Sequence, residues 1–119
     1  MMTSIALQNK MAQCTGTTSY YKRFPFLESV YTDGVKIFAE SAQAHWLVND
    51  ILLFIMQKNL SNQPFLTIRL VVKGDRGELT FEDGNDTVFY KHEYKYTDCP
   101  EGEWVFFYIN KVLMVANEY

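Results

Sequence analysis

The chain reads as an α+β fold. The sequence predicts an antiparallel meander sheet of about five strands, with one long helix and a short N-terminal helix packed on one face. A short β-hairpin is expected near residues 29–39. Three observations predict this architecture. From residue 65 onward, apolar and polar residues alternate with period two. Residues 41–58 repeat apolar side chains at helical spacing instead. Gly, Asp and Asn pairs punctuate the joints between these stretches. A length of 119 residues fits a single domain spanning residues 1–119.

The elements follow in chain order. SIALQNKMAQ (4–13) carries Ile5, Leu7 and Met11 at helical spacings, with Ser4 placed to cap the N-terminus. CTGTTS (14–19) breaks that helix, and Pro25 keeps YYKRFPFLES irregular, as an ordered aromatic loop over the core edge. SVYTDGVKIFAE (29–40) has β-branched residues on both sides of Asp33-Gly34, a pair suited to a type I′ turn. The rival reading is that Thr32 or Asp33 caps a helix beginning near Val35. SAQAHWLVNDILLFIMQK (41–58) is the strongest helix. Ala44, Leu47, Val48, Ile51, Phe54 and Ile55 make one apolar arc, and Ala42, Trp46 and Leu53 make a second. A helix with two apolar faces is expected between two layers, or between the sheet and a partner.

In the sheet half, Leu66, Ile68, Leu70 and Val72 fall on one face, as do Leu79 and Phe81 after the GDRG turn at 74–77. DGN (83–85) turns the chain again. Val88, Tyr90, His92, Tyr94 and Tyr96 then share one side of the next strand. WVFFYI (104–109) is apolar on both faces and is expected at the centre of the sheet. Asn110-Lys111 forms a tight turn before VLMVA. The triplet YTD occurs at 31–33 and again at 96–98. It reads as backbone punctuation, with Asp33 and Asp98 accepting from nearby N–H groups and Tyr31 and Tyr96 closing strands with their rings on the core.

Composition bounds the function. The net charge of −3, from 14 acidic and 11 basic residues, leaves no electrostatic footprint for nucleic acid. MMTSIALQNK lacks the pattern of a signal peptide, and ILLFIM (51–56) is too short to span a bilayer, so a cytoplasmic protein with no membrane contact is expected. Cys14 and Cys99 form no CxxC pair and read as buried thiols.

Candidate chemistry is sparse. Ser41, His45 and Asn49 fall one helical turn apart, which invites a small hydrolase centred on His45, but the same spacing arises on any solvated helix face. No glycine-flanked nucleophile turn accompanies it. His92 reads as a half-buried strand histidine. Glu78, Glu82, Asp83 and Asp86 gather around one hairpin without the closing glutamate of a calcium loop. No catalytic residue, metal site or cofactor is therefore assigned. The stretch TGTTSYYKR offers the best binding candidate: Thr15, Gly16, Thr17, Tyr20, Tyr21, Lys22 and Arg23. Its tyrosines could stack on a base while its cations meet phosphate. The bland reading is an aromatic loop pinned to the core with a wet basic tip.

The motifs CTGTTSYYKR, YTDGVKIFAESAQAHWLVNDI, LTFEDGN and YKYTDCP, in that order, resemble a family of short bacterial proteins of unknown function. Members are often associated with phage, plasmids or other mobile elements. The likeness runs from about residue 12 to Tyr119. It implies no catalytic residue, and it implies a bacterial setting. The family pattern carries aromatics where this chain has Cys14 and Cys99, which implies buried thiols and raises the idea that the two lie close together. The leading expectation is a non-enzymatic interaction or regulatory module with a protein partner, a second copy of the chain (a homodimer) being one candidate. A nucleotide- or nucleic-acid-binding module using residues 15–23 is the alternative, though a nucleic-acid partner is not favoured.

Overall fold

The computed structural model describes residues 3–17, 19–85 and 87–119; Thr18 and Asp86, both noted above, lie outside them. Among the described residues, three α-helices and one mixed sheet of seven strands make up the fold. The α+β class holds, but the meander of about five strands and the one long helix do not.

Helix α1 (Ser4–Ala12) is capped by Thr3, whose hydroxyl accepts from the Ala6 N–H at 3.2 Å. Ser4 does not cap; its hydroxyl donates to the Glu101 carbonyl. Two short strands follow, β1 (Tyr20–Tyr21) and β2 (Val30–Thr32), paired antiparallel.

The expected hairpin at 29–39 is replaced by strand β2 running into helix α2 (Asp33–Ser41). Thr32 decides this. Its Oγ1 accepts from the Val35 N–H, which makes it a helix cap rather than the shoulder of a turn. The second YTD works in a related way. Thr97 Oγ1 accepts from the Cys99 N–H at 3.1 Å, and both Thr32 and Thr97 are buried. The triplet is punctuation, and in both copies its threonine supplies a cap-like bond. Tyr96, expected to rest on the core, is 71% exposed.

The predicted helix 41–58 is interrupted. Helix α3 spans His45–Gln57, and Gln43 adopts a left-handed φ of 54° at the break. The Ala44 N–H reaches back to the Ala39 carbonyl at 2.8 Å, the six-to-one bond of a Schellman stop. Helix α3 ends the same way: Asn59 has φ 57°, and the N–H of buried Leu60 donates to the Ile55 carbonyl at 2.8 Å.

The remaining strands are β3 (Leu66–Lys73), β4 (Arg76–Glu82), β5 (Val88–Tyr94), β6 (Gly102–Ile109) and β7 (Val112–Val115). Their order is β1-β2-β7-β6-β3-β4-β5. After the run β3-β4-β5 the chain crosses back and lays β6 against β3, giving a Greek key rather than a meander. Strand β6 thereby becomes the central strand of the seven, consistent with its apolar character on both faces. The β2–β7 pairing is parallel, so the sheet is mixed.

The inner face carries Leu66, Ile68, Leu70, Leu79, Phe81, Phe106, Tyr108 and Leu113, all buried. It packs on α2 and α3. Phe38 meets Phe106 edge-on at 5.1 Å. Phe54 contacts Phe81, Tyr90 and His92, and Trp46 meets Tyr94 edge-on at 5.2 Å. Much of the aromatic excess is therefore spent in the helix–sheet joint, including Trp46 of the second apolar arc. Cys14 and Cys99 are free, buried thiols. Among the described residues, no helix is long and apolar enough to cross a membrane.

Candidate functional site

Thr17 and Tyr21 are folded onto the start of α2. Thr17 Oγ1 accepts from the Asp33 N–H at 2.9 Å and donates to the Ser19 carbonyl at 2.7 Å. The Tyr21 hydroxyl donates to Asp33 Oδ1 at 2.7 Å, and this bond raises the pKa of the phenol. Lys36 Nζ sits 4.6 Å from the Tyr21 ring centroid, and the Tyr31 ring lies 5.5 Å away. The faces of Tyr21 are thus engaged within the chain. Arg23 Nε donates to Asn49 Oδ1. Thr15, Gly16, Tyr20 and Lys22 are exposed. Gly16 borders a depression of about 300 Å³ shared with Lys10, Cys14 and Asp33.

The N-terminus of α2, a natural anion site, is already filled. The Glu118 carboxylate accepts from Thr32 Oγ1, from the Gly34 N–H at 3.2 Å and from the Val115 N–H at 3.0 Å. A short 3-10 turn (Ala116–Glu118) carries the C-terminus back over this helix end.

His45 is exposed as the first residue of α3 and borders none of the depressions described here. Ser41 ends the preceding helix, so the stripe does not lie on one helix. Asp83 serves its own turn: Oδ1 accepts from the N–H groups of Asn85 (2.7 Å) and Thr87 (3.2 Å), bonds that hold its pKa below the usual carboxylate range.

What sequence reading missed is the outer face of the sheet. Among the described residues, no α-helix packs over it. Val71, Val105, Phe107, Ile109, Val112 and Met114 point outward there and are half-buried, while their inward neighbours are buried. Phe65 and Tyr119 flank Phe107 at 5.2 and 5.3 Å, and Tyr119 is 76% exposed. The strand register sorts the outer charges into rows across the sheet. Lys73 lies opposite Arg76. The next row holds Glu103, Val71, Glu78 and Glu93. Arg69 and Lys91 lie in the row after that, and Glu82 in the following one. Positive and negative rows alternate.

Within the chain these rows are only partly neutralised. Arg69 pairs with Glu82 at 3.0 Å and with Glu103, and Lys91 pairs with Glu78 at 3.7 Å. Among the described residues, Lys73, Arg76, Lys95 and Glu93 have no ion pair. They border a concavity of about 670 Å³ with Val71 and Glu78. Glu78 directly opposite Glu93, and Lys73 directly opposite Arg76, are like-charge cross-strand pairs that oppose folding. The signal was present in the sequence as the outward set of each strand. It could not be assembled without knowing that β6 lies beside β3.

Residues 5–119 match the profile described as "Family of unknown function (DUF6876)". No curated protein and no solved structure matches the chain.

Proposed function

We propose that this chain, which belongs to the DUF6876 family of unknown function, is a non-enzymatic interaction module that pairs with a second copy of itself through the outer face of its sheet. The observation that carries this reading is the outer face itself. It joins half-exposed Phe107, Ile109, Val112 and Met114 to alternating rows of charge. A contiguous apolar area on an uncovered sheet marks a contact surface. The alternation supports a second copy as occupant. A two-fold axis between the glutamate row and the Arg69/Lys91 row sets each acidic row of one copy over a basic row of the other. Two sheets packed in this way form a sandwich about 10 Å thick. The reading sets the module in a bacterial cytoplasm, in the phage or mobile-element context that the sequence resemblance implies.

Sedimentation velocity tests it. The expected result is a dimer that weakens as salt screens the charge rows. Phe107→Arg should give a monomer with unchanged circular dichroism, and Glu78→Lys should weaken pairing. A wild-type chain that stays monomeric at about 100 μM, a dissociation constant weaker than ~5.5 kcal/mol supports, refutes the reading.

A further inference from the structure

We propose a second, separate contact: the open edge of β5 pairs antiparallel with the same edge of a second copy, about a two-fold axis through His92. The inference starts from hydrogen-bond parity. Gly74-Asp75 joins β3 to β4, with φ 63° at Gly74, so the flanking pair Lys73 and Arg76 exchanges both backbone bonds. Bonding positions alternate from there, which turns Gly77, Leu79 and Phe81 toward β5. Their partners Tyr94, His92 and Tyr90 bond back to β4. The Asn110-Lys111 hairpin, traced through β6 and β3, gives the same parity. Lys91 and Glu93 therefore turn their N–H and carbonyl groups to the outer side, where β5 ends the sheet. Among the described residues, no backbone or side-chain group bonds them on that side.

The edge is also sterically open. The α3 side chains that reach β5 are Trp46, against Tyr94, Asp50, which accepts from the Tyr94 hydroxyl at 2.7 Å, and Phe54, against Tyr90 and His92. They lie one helical turn apart on one flank of α3, beside its buried face of Leu47, Ile51 and Ile55. The helix axis thus sits inside β5 and not over its rim. A two-fold axis normal to the sheet continues it into the copy, with the helices on the same face. The register shifts at Phe81/Glu82, which ends the regular ladder at Tyr90. The paired stretch is Tyr90–Tyr94, roughly 17 Å of strand. The opposite rim of the sheet, β1, is two residues long and offers no such ladder.

Charge selects the occupant and the register. The side chains carried by the free backbone positions are Lys91 and Glu93, both exposed. Antiparallel pairing about His92 sets Lys91 of each copy opposite Glu93 of the other, twice over. Among the described residues Glu93 has no ion pair, and Lys91 has only the 3.7 Å contact to Glu78. Moving the axis to Lys91 or to Glu93 sets that residue opposite itself, a like-charge pair. An axis between two residues sets a free position against one already bonded to β4. On the inner face, Tyr90 of each copy meets Tyr94 of the other, with the two His92 rings between them. The pairs Lys91–Glu93 and Glu93–Lys91 together form four backbone bonds. So short a ladder is weak, because two-stranded pairing alone is marginal. A dissociation constant of about 1 mM leaves chains mostly single at ~100 μM, where the outer-face contact is tested, and half paired at about 1 mM. The edge contact stands whether or not the outer faces pair.

The test uses the full-length ¹⁵N-labelled protein carrying Phe107→Arg, which removes the outer-face contact, with the wild type followed in parallel. Raising the concentration from about 0.1 to about 1 mM should shift the Lys91 and Glu93 amides and slow their exchange. The His92 amide, already bonded to β4, should change less. Lys91→Glu and Glu93→Lys, each added to that chain, should weaken pairing about tenfold in sedimentation, because each sets like charges across the seam. An equimolar mixture of the two should pair at least as well as the parent, since every lysine at the seam then meets a glutamate. The proposal is overturned if the two amides do not respond to concentration, if the mixture pairs no better than its components, or if the responding amides lie in β1 or β6. It is also overturned if the amides respond only to an added peptide carrying lysine, valine and glutamate in that order, since the occupant would then be another protein's strand.

Discussion

Gly34→Ala is the sharpest test of how the fold is locked. Gly34 is the second residue of α2, with the Glu118 carboxylate bonded to its N–H. On helix propensity alone, alanine would stabilise by up to ~1 kcal/mol. Here a Cβ would fall 2.6 Å from Glu118 Cδ and 2.7 Å from Val115 Cγ2, below the 3.0 Å that real Cβ contacts respect. Val115 is core, so part of the strain stays in the sheet. Glu118 can swing away, at the expense of its bonds to Thr32, Gly34 and Val115. Hydrogen bonds to a charged group contribute ~1.5–3 kcal/mol each in favourable settings, and partial solvent access at this rim lowers the sum. Repacking Val115 adds ~1–3 kcal/mol. The net expectation is a loss of about 2–4 kcal/mol. Urea denaturation of Gly34→Ala, Glu118→Ala and the double variant measures it. Because the same bonds are lost only once, the double variant should be ~1–2 kcal/mol more stable than additivity predicts. A Gly34→Ala protein as stable as wild type, or a strictly additive cycle, refutes the clasp.

Three further outcomes follow from the same reasoning. Gln43 holds a left-handed conformation without glycine's freedom, so Gln43→Gly should raise stability by ~1 kcal/mol in thermal or urea unfolding. The Tyr108 hydroxyl and Ser29 Oγ lie 2.6 Å apart, with both residues buried; Tyr108→Phe should cost ~1–3 kcal/mol, and adding Ser29→Ala should recover much of it. Burial first, and then the Asp98 charge, push the Cys99 thiol up to about 12 from its ordinary 9.0. Its folded form therefore holds the proton more tightly than its unfolded form. That contribution is complete below about pH 9 and is lost as pH rises toward 12, up to ~4 kcal/mol for three pKa units. Cys99→Ala should flatten the alkaline limb of stability measured against pH, and wild-type Cys99 should react with iodoacetamide at pH 8 only as fast as the protein unfolds.

Local chemistry made much of the fold legible. The inward sets Leu66, Ile68, Leu70, Val72 and Leu79, Phe81 were readable because a strand's faces alternate regardless of its neighbours. The Asn110-Lys111 turn was readable for a similar reason: a two-residue connection leaves the backbone few choices. The helix break was hidden because Gln43 is not a residue that announces a stop, and the Schellman bond closing it runs between two alanines. At 31–34 the two readings differed by one hydrogen bond. Asp-Gly fits a type I′ turn, but the Thr32 hydroxyl captures the Val35 N–H once Glu118 also arrives at that helix end.

By itself the sequence determined most of the residues that turn inward, where most elements lie and that no catalytic motif is spelled out. Those properties depend on neighbours within a few positions, where sterics and local hydrogen bonding act. Only the tertiary structure decided that β6 crosses back to β3, that β2 joins β7 in parallel, and that Glu118 closes a helix 84 residues upstream. These pairings join segments distant in sequence, and each is chosen by the shared burial of a whole face. The outer charge rows are a consequence of that choice, so they could not be read before the strands were in order.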